Sequence, residues 1–140
     1  MTPAFAAIEV GYELPSQNFP ITRANLVSYC GASGDFNVIH WNERVATSVG
    51  LPNVIAHGMF TMAEAVRVVT DWLGDPGALV DYGCRFTRPV VVPDDDKGAT
   101  LTVSAKVTEK RDDNTALITI TASCDDATVL GKAQAIVRLP

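Results

Sequence analysis

The clearest pattern of apolar and polar positions in this chain runs from His57 to Leu73. Apolar and small side chains recur there at steps of three and four residues, the repeat of one helix face. The positions that form this predicted face are Met59, Met62, Ala63, Val66, Val69, Thr70 and Leu73. Gly74 and Pro76 follow at once, where a helix is expected to stop. The pattern therefore predicts a long helix over residues 57–73, with this face buried.

Beyond this helix the pattern changes to the two-residue alternation that is typical of β-strands. The predicted strands cover residues 78–92, 100–107, 116–121 and 129–139. Polar, Asp-rich segments separate the last three strands and predict turns between them. Long antiparallel strands together with one dominant buried helix predict an α+β fold in which the sheet wraps around the helix.

The first part of the chain is mixed. Residues 8–20 are predicted to be extended. Thr22 is a suitable N-cap for a first helix that ends at Gly31, and Asn42 is a suitable N-cap for a short helix over residues 43–49. The first half is therefore expected to place short helices before the long one.

Composition narrows the functional class. The 140 residues are 47% hydrophobic and 19% charged, which is typical of a packed globular protein. The net charge of -5 argues against a nucleic-acid binder. Three cysteines without a Cys-x-x-Cys motif are expected to be buried thiols in a reducing compartment. No apolar run reaches the ~20 residues of a membrane span, and no secretory signal is evident, so we expect a cytoplasmic protein.

Candidate chemistry is concentrated in the segment Tyr29–Trp41. It contains Asp35 and His40, five residues apart, with Gly34 and Asn37 shaping the backbone around them. Asp35 alone is typical of a turn, and His40 alone is typical of a core or surface position. Together they suit reversible addition of water to a conjugated double bond, which needs an acid and a base near neutral pH. The sequence therefore predicts a buried acid/base pair on this loop.

A second segment begins the long helix. The free N–H groups of a helix N-terminus can hold a developing oxyanion, and Gly58 would allow a carbonyl oxygen to approach closely. Tight packing alone is the other explanation for Gly58. His57 is expected to form a hydrogen bond at the helix start. A metal site of Asp35, His40 and His57 is the alternative, but no short paired-ligand spacing supports it. Asn37 is expected to orient the loop or a water molecule.

The two segments together resemble those of MaoC-like hotdog-fold (R)-specific enoyl-thioester hydratases and dehydratases. The first resembles the family motif Gly-Asp-x-Asn-Pro-Ile/Leu-His, with Val38 in place of the usual Pro, and Ala56–Met59 is similar to the start of the hotdog helix. Proline would stiffen the loop, so Val38 removes rigidity but no catalytic group. The order and spacing of segments match over nearly the whole chain. The resemblance implies a single hotdog domain over residues 1–140.

The resemblance also implies an activity. It indicates a (3R)-hydroxyacyl-thioester dehydratase, or trans-2-enoyl-thioester hydratase, acting on acyl carrier protein substrates in type II fatty-acid elongation, with mycolic-acid precursors as one option. Acyl-CoA is the alternative carrier. Asp35 and His40 would be catalytic, and Gly58, His57 and Asn37 would form the oxyanion and substrate-binding group. The resemblance implies no metal or other cofactor, and a homodimer or a heterodimer with a related hotdog subunit.

Two rival functions are open at this point. A hotdog thioesterase usually carries its carboxylate on the helix, but Glu64 falls beside the predicted apolar face rather than on it. A non-catalytic hotdog subunit is the second rival, but the presence of Asp35, His40 and Gly58 together argues against it.

Overall fold

A computed structural model describes residues 2–140 of the chain. Its helices are α1 (Arg23–Ser33), α2 (Glu43–Ser48) and α3 (Gly58–Leu73). Its strands are β1 (Glu13–Ile21), β2 (Leu79–Phe86), β3 (Ala99–Lys110), β4 (Thr115–Cys124), β5 (Ala127–Thr128) and β6 (Leu130–Arg138). The antiparallel sheet has the order β1-β3-β4-β6-β2, and the short β5 pairs with β4.

The sheet wraps around α3, which contacts strands β1, β2, β3, β4 and β6. Residues alternate between buried and exposed along β3 and β6, because successive side chains point to opposite faces of a strand. One face of the sheet therefore packs on α3 and forms the core, as the alternation predicted. The predicted α+β plan of a sheet around one helix is confirmed.

The buried face of α3 differs from the predicted one. The buried positions are Thr61, Ala65, Val68, Val69 and Leu73. Met59 and Ala63 are exposed instead, because they lie on the side of the helix that the sheet does not cover. The apolar pattern correctly predicted the helix and its end at Gly74, which adopts the left-handed conformation. It did not predict which face of the helix is buried.

The first helix is longer than predicted. Thr22 caps it as expected, in a reciprocal capping box with Asn25. The helix continues through Gly31 and ends at Gly34, whose φ of 76° is left-handed and whose N–H donates to the carbonyl of Cys30. The prediction that this helix ends at Gly31 is wrong, because the residue that closes the last turn takes a positive φ, and Gly34 rather than Gly31 has one. Asn42 caps α2 as predicted, by accepting from the N–H of Val45.

The predicted strand over residues 78–92 ends early, at Phe86. Pro89 has no N–H to donate to a neighbouring strand, and residues 87–92 leave the sheet. They run instead beside the chain that precedes α3, where Ala56 N–H donates to the Val90 carbonyl and Val92 N–H to the Val54 carbonyl. This departure opens space between the sheet and the start of α3.

No helix among residues 2–140 combines the length and the hydropathy needed to span a bilayer.

Candidate active site

The loop after α1 presents the Asp35 carboxylate in a defined orientation. One oxygen of Asp35 accepts from the N–H of Asn37 at 3.1 Å, and the Asn37 side chain accepts from the N–H of Ile39 at 3.3 Å. These two turns are local, so the spacing of polar residues in the sequence suffices to build them. Asn37 thus orients the loop, and the second oxygen of Asp35 is free of this turn.

Asp35 and His40 differ sharply in burial. His40 is buried, whereas Asp35 is exposed, as are its neighbours in residues 31–38. The prediction of a jointly buried pair is therefore wrong for Asp35. The physical reason is that the short 3₁₀ turn Val38–His40 directs the imidazole inward, while Asp35 precedes this turn on the surface of the chain.

The ring of His40 has a defined tautomer. Its Nδ1 lies 2.7 Å from the carbonyl oxygen of Ile55, which can only accept, so Nδ1 carries the proton. In the neutral ring, Nε2 then has a free lone pair. Ile55 N–H in turn donates to the Ile39 carbonyl at 3.3 Å, which ties the loop to the chain before α3. His40 is thus held as a proton acceptor at Nε2.

His57 lies beside this pair and is only 1% exposed. Its ring stacks on that of His40, with centroids 3.8 Å apart and planes 24° apart. Its Nε2 donates to the backbone carbonyl of Asp35 at 3.1 Å, and its Nδ1 has no partner among the described residues. Burial lowers the pKa of His57 from its ordinary value of 6.5. The side chain does not cap α3, so the predicted bond at the helix start is replaced by one to the loop.

A cavity of about 350 Å³ opens beside His40 and the first residue of α3. Most of its wall is apolar. The lining residues are His40, Ile55, Ala56, Gly58, Thr61, Phe86, Thr87, Arg88, Pro89, Val90, Val129 and Leu130. Asp35 does not line this cavity, but one of its carboxylate oxygens and one ring nitrogen of each histidine lie within 4.8 Å of one another. His40 and the N-terminus of α3 therefore line one apolar cavity, and the Asp35 carboxylate lies close to the imidazole rings without lining the cavity itself.

Gly58 stands at the N-terminus of α3, with His57 as the N-cap. The N–H groups of the first helical turn have no partner within the helix, so Gly58 can offer its N–H to a carbonyl oxygen. A Cβ at Gly58 would lie 3.1–3.2 Å from the ring of Phe86. Both explanations for the glycine therefore apply, since it gives access to the cavity and also leaves room for this ring.

The three groups do not suit a metal ion. A metal ligated by two imidazoles needs their lone pairs to converge on one point about 2.0–2.1 Å from each nitrogen. The rings of His40 and His57 are stacked with planes only 24° apart, so a point that lies in the plane of one ring, close to its nitrogen, is well out of the plane of the other. The geometry favours acid/base chemistry over metal ligation.

Sequence reasoning missed the far wall of the cavity. Phe86, 54% exposed, faces Gly58, and Arg88 at the cavity wall donates to the Thr128 carbonyl at 3.2 Å. Pro89 is the sequence feature that could have indicated this wall, because a proline within residues 78–92 marks the end of a strand in a stretch that otherwise alternates like one. Thr61, a buried polar residue on α3, was not counted on the predicted buried face.

Burial of neutral His57 has a consequence for acid stability. The unfolded chain takes up a proton near pH 6.5, whereas the folded chain resists it because the folded pKa is lower. This contribution is present above pH 6.5 and is lost as the pH falls toward the folded value. We expect the free energy of unfolding to fall less between about pH 7 and about pH 5 in His57→Gln than in the wild type, measured by urea denaturation. Equal declines in the two proteins would contradict a lowered pKa of His57 in the folded chain.

Comparison with known proteins agrees with this architecture. The family model "MaoC like domain" matches residues 7–126. The 3-hydroxyacyl-thioester dehydratase X of Mycobacterium tuberculosis is 39% identical over 79 residues, which are 56% of this chain and 27% of that protein. The (R)-specific enoyl-CoA hydratase of Rhodospirillum rubrum is 33% identical over 113 residues, covering 80% of this chain and 72% of the relative.

A solved structure described as a MaoC-like dehydratase superposes with a TM-score of 0.96 and 37% identity, covering 99% of this chain and 43% of that one. The chain thus spans less than half of that structure and about a quarter of dehydratase X. The family match covers most of the chain, and the enoyl-CoA hydratase is matched over more than two thirds of its own length. This chain therefore belongs to the MaoC-like domain family and has its hotdog fold.

Proposed function

We propose that this protein is a hydro-lyase that interconverts a (3R)-hydroxyacyl thioester with the trans-2-enoyl thioester and water. The observation that carries the proposal is that a carboxylate oxygen of Asp35 lies within 4.8 Å of a ring nitrogen of His40, while His40 and Gly58, the first residue of α3, both line the apolar cavity. The names of the two relatives, a 3-hydroxyacyl-thioester dehydratase and an (R)-specific enoyl-CoA hydratase, support the same reaction.

The geometry suggests how the reaction proceeds. The thioester carbonyl accepts a hydrogen bond from the N–H of Gly58, which stabilises the enolate-like oxygen as charge develops. In the hydration direction, Asp35 and His40 hold the water, take one of its protons as its oxygen bonds to C3, and return a proton to C2. In dehydration they remove the C2 proton and protonate the departing hydroxyl. The acyl chain occupies the apolar wall of the cavity.

The thioesterase alternative has little support from the site. Glu64, the acid in the middle of α3, forms an ion pair with Arg67 at 2.9 Å and does not line the cavity. The carboxylate that lies within 4.8 Å of a ring nitrogen of His40 is that of Asp35, which is on the loop after α1 and not on α3. Hydration therefore fits the available groups better than hydrolysis.

An assay with crotonyl-CoA tests the proposed reaction. We expect loss of the enoyl absorbance without release of free thiol, because water adds to the double bond and leaves the thioester intact. The rate should be unchanged by prolonged treatment with a chelator, since Asp35, His40 and Gly58 supply all the groups required. Thiol release would indicate a thioesterase, and neither signal would indicate a non-catalytic subunit. Loss of activity on chelation, restored by a divalent metal, would contradict the metal-free mechanism.

The carrier is a finer proposal. We propose acyl-ACP as the physiological substrate, in type II fatty-acid elongation or the synthesis of mycolic-acid precursors, with acyl-CoA as the competing carrier. Both carry the same phosphopantetheine arm, and the R. rubrum relative is named for CoA. Such a reaction would take place in the cytoplasm. A ratio of kcat/KM for crotonyl-ACP to that for crotonyl-CoA well above one would support the carrier protein, and a ratio below one would support CoA.

We also propose that residues 1–140 form one hotdog unit that pairs with a second such unit, in a homodimer or in a heterodimer with a related subunit. Strand β2 is an edge of the sheet with an unpaired side. Large apolar side chains are exposed on the loop that carries Asp35 and His40 (residues 34–41, the catalytic loop), including Phe36 at 62% and Trp41 at 46%. A partner that covers this loop would also remove Asp35 from bulk water. Light scattering on the pure chain distinguishes the two forms, because a homodimer has twice the chain mass.

A further inference from the structure

His57 is a buried side chain that the proposed reaction does not use. It nevertheless touches both members of the catalytic pair, since Nε2 lies 3.1 Å from the Asp35 carbonyl oxygen and the ring stacks on His40. A side chain that touches both groups can fix the distance between them. This contact with both groups distinguishes His57 from a core residue that only fills space.

The hydrogen bond assigns the tautomer of His57. A backbone carbonyl can only accept, so Nε2 carries the proton and Nδ1 is the unprotonated nitrogen. Nδ1 is buried and has no hydrogen-bond partner among the described residues. The bond at Nε2 is therefore the hydrogen bond by which the His57 side chain holds the backbone of the neighbouring loop.

The bond at Nε2 is also a long-range tie of the catalytic loop, in addition to the bonds of Ile55 with Ile39 and His40. Residues 34–37 make their other hydrogen bonds within residues 30–41, as in the turn between Asp35 and Asn37. In the described part of the chain, His57 alone reaches residues 34–37 with a hydrogen bond from outside that range. Since these residues are exposed, local turns define their shape but do not fix their place relative to α3.

The ring of His57 is held in place by contacts on two sides. Tyr29 packs against it with ring centroids 4.7 Å apart, and the Cys30 sulfur lies 3.6 Å from Nε2. Both residues belong to α1, so α1 supports His57 from one side while His40 stacks against the ring. Charged and titratable groups facing His57 are Asp35, His40, Tyr29 and Cys30. Its neutral form, which burial favours, avoids two adjacent imidazolium rings.

We propose that His57 is a positioning residue for the catalytic pair: its Nε2–H fixes the backbone of Asp35, and its ring fixes the plane of the His40 imidazole. This inference rests on the proposed hydration reaction. A misplacement of about 1 Å in a reacting group can cost about 100-fold in rate. Loss of the tie should therefore lower kcat more than it raises KM.

Two variants of similar size isolate the hydrogen bond. Both His57→Gln and His57→Met lose the ring, but only Gln retains an N–H donor near the place of Nε2. We expect kcat for crotonyl-CoA to fall about 30- to 100-fold in the Met variant, with KM within about threefold of wild type. The Gln variant should recover at least about fivefold of that loss. His57→Phe, which keeps a ring without a donor, replaces the Met variant if the latter does not fold.

Hydrogen exchange supplies a readout that does not depend on activity. Amides of residues 35–41 should exchange faster in the Met variant than in the Gln variant, with unchanged exchange in β3 and β4. If the wild type fails to hydrate crotonyl-CoA but this difference in exchange is seen, the proposed function fails and the anchoring role of His57 stands. Equal kcat and equal loop exchange in the Gln and Met variants would overturn the inference, as would a Met variant that keeps wild-type kcat.

Discussion

Replacing Asp35 by Asn or His40 by Ala is expected to lower kcat for enoyl-thioester hydration by at least about 100-fold, the usual contribution of a positioned acid or base. The amide oxygen introduced by Asp35→Asn can still accept from the Asn37 N–H, so the loop should keep its turn while the ionisable group is lost. Removal of the His40 ring also removes the donor to the Ile55 carbonyl, so that variant requires a check of folding by circular dichroism.

The double variant tests whether the two residues act as one unit. Because one carboxylate oxygen and the ring nitrogens lie within 4.8 Å, we expect the combined loss to be close to that of the more damaging single change rather than to the product. Asp71→Asn is the matched control, since it removes an exposed carboxylate from the other end of α3. Near-normal activity in either single variant would remove that residue from the mechanism.

Gly58→Pro is expected to have the second-largest effect, about 100-fold in kcat, because it deletes the N–H assigned to the oxyanion. The fold should tolerate it. Gly58 is the first residue of α3, where Pro is favourable, and His57 has φ -58° and ψ 135°, the conformation that a residue before Pro prefers. The loss should fall on kcat, since the bond strengthens as charge develops in the transition state.

Gly58→Ala is the control for the added carbon. Both variants place a Cβ 3.1–3.2 Å from the Phe86 ring, but only Ala keeps the N–H. Phe86 is half exposed and can shift slightly, so we expect Ala to stay within about fivefold of the wild-type kcat. Calorimetry with butyryl-CoA, a saturated thioester, should show similar affinity in both variants. Equal turnover in the Pro and Ala variants would show that the N–H has no catalytic role.

The sequence by itself determined the local structure of this protein. Caps at Thr22 and Asn42, the end of α3 at Gly74 and the alternation in β3 were all predictable, because each depends on side chains within a few residues of the backbone they act on. The spacing of Asp35 and His40 on one loop is equally local, and the resemblance of this loop to a family motif gave the hotdog fold.

Only the tertiary structure decided which distant segments meet. The covered face of α3, the end of β2 at Phe86 and the position of its ring over Gly58 depend on strand register and on the path of the chain around α3. The bond from His57 to the Asp35 carbonyl has no sequence signal, because its acceptor is a backbone oxygen that every residue carries. Asp35 is exposed because burial is set by what packs over a loop, and residue spacing within the loop does not specify this.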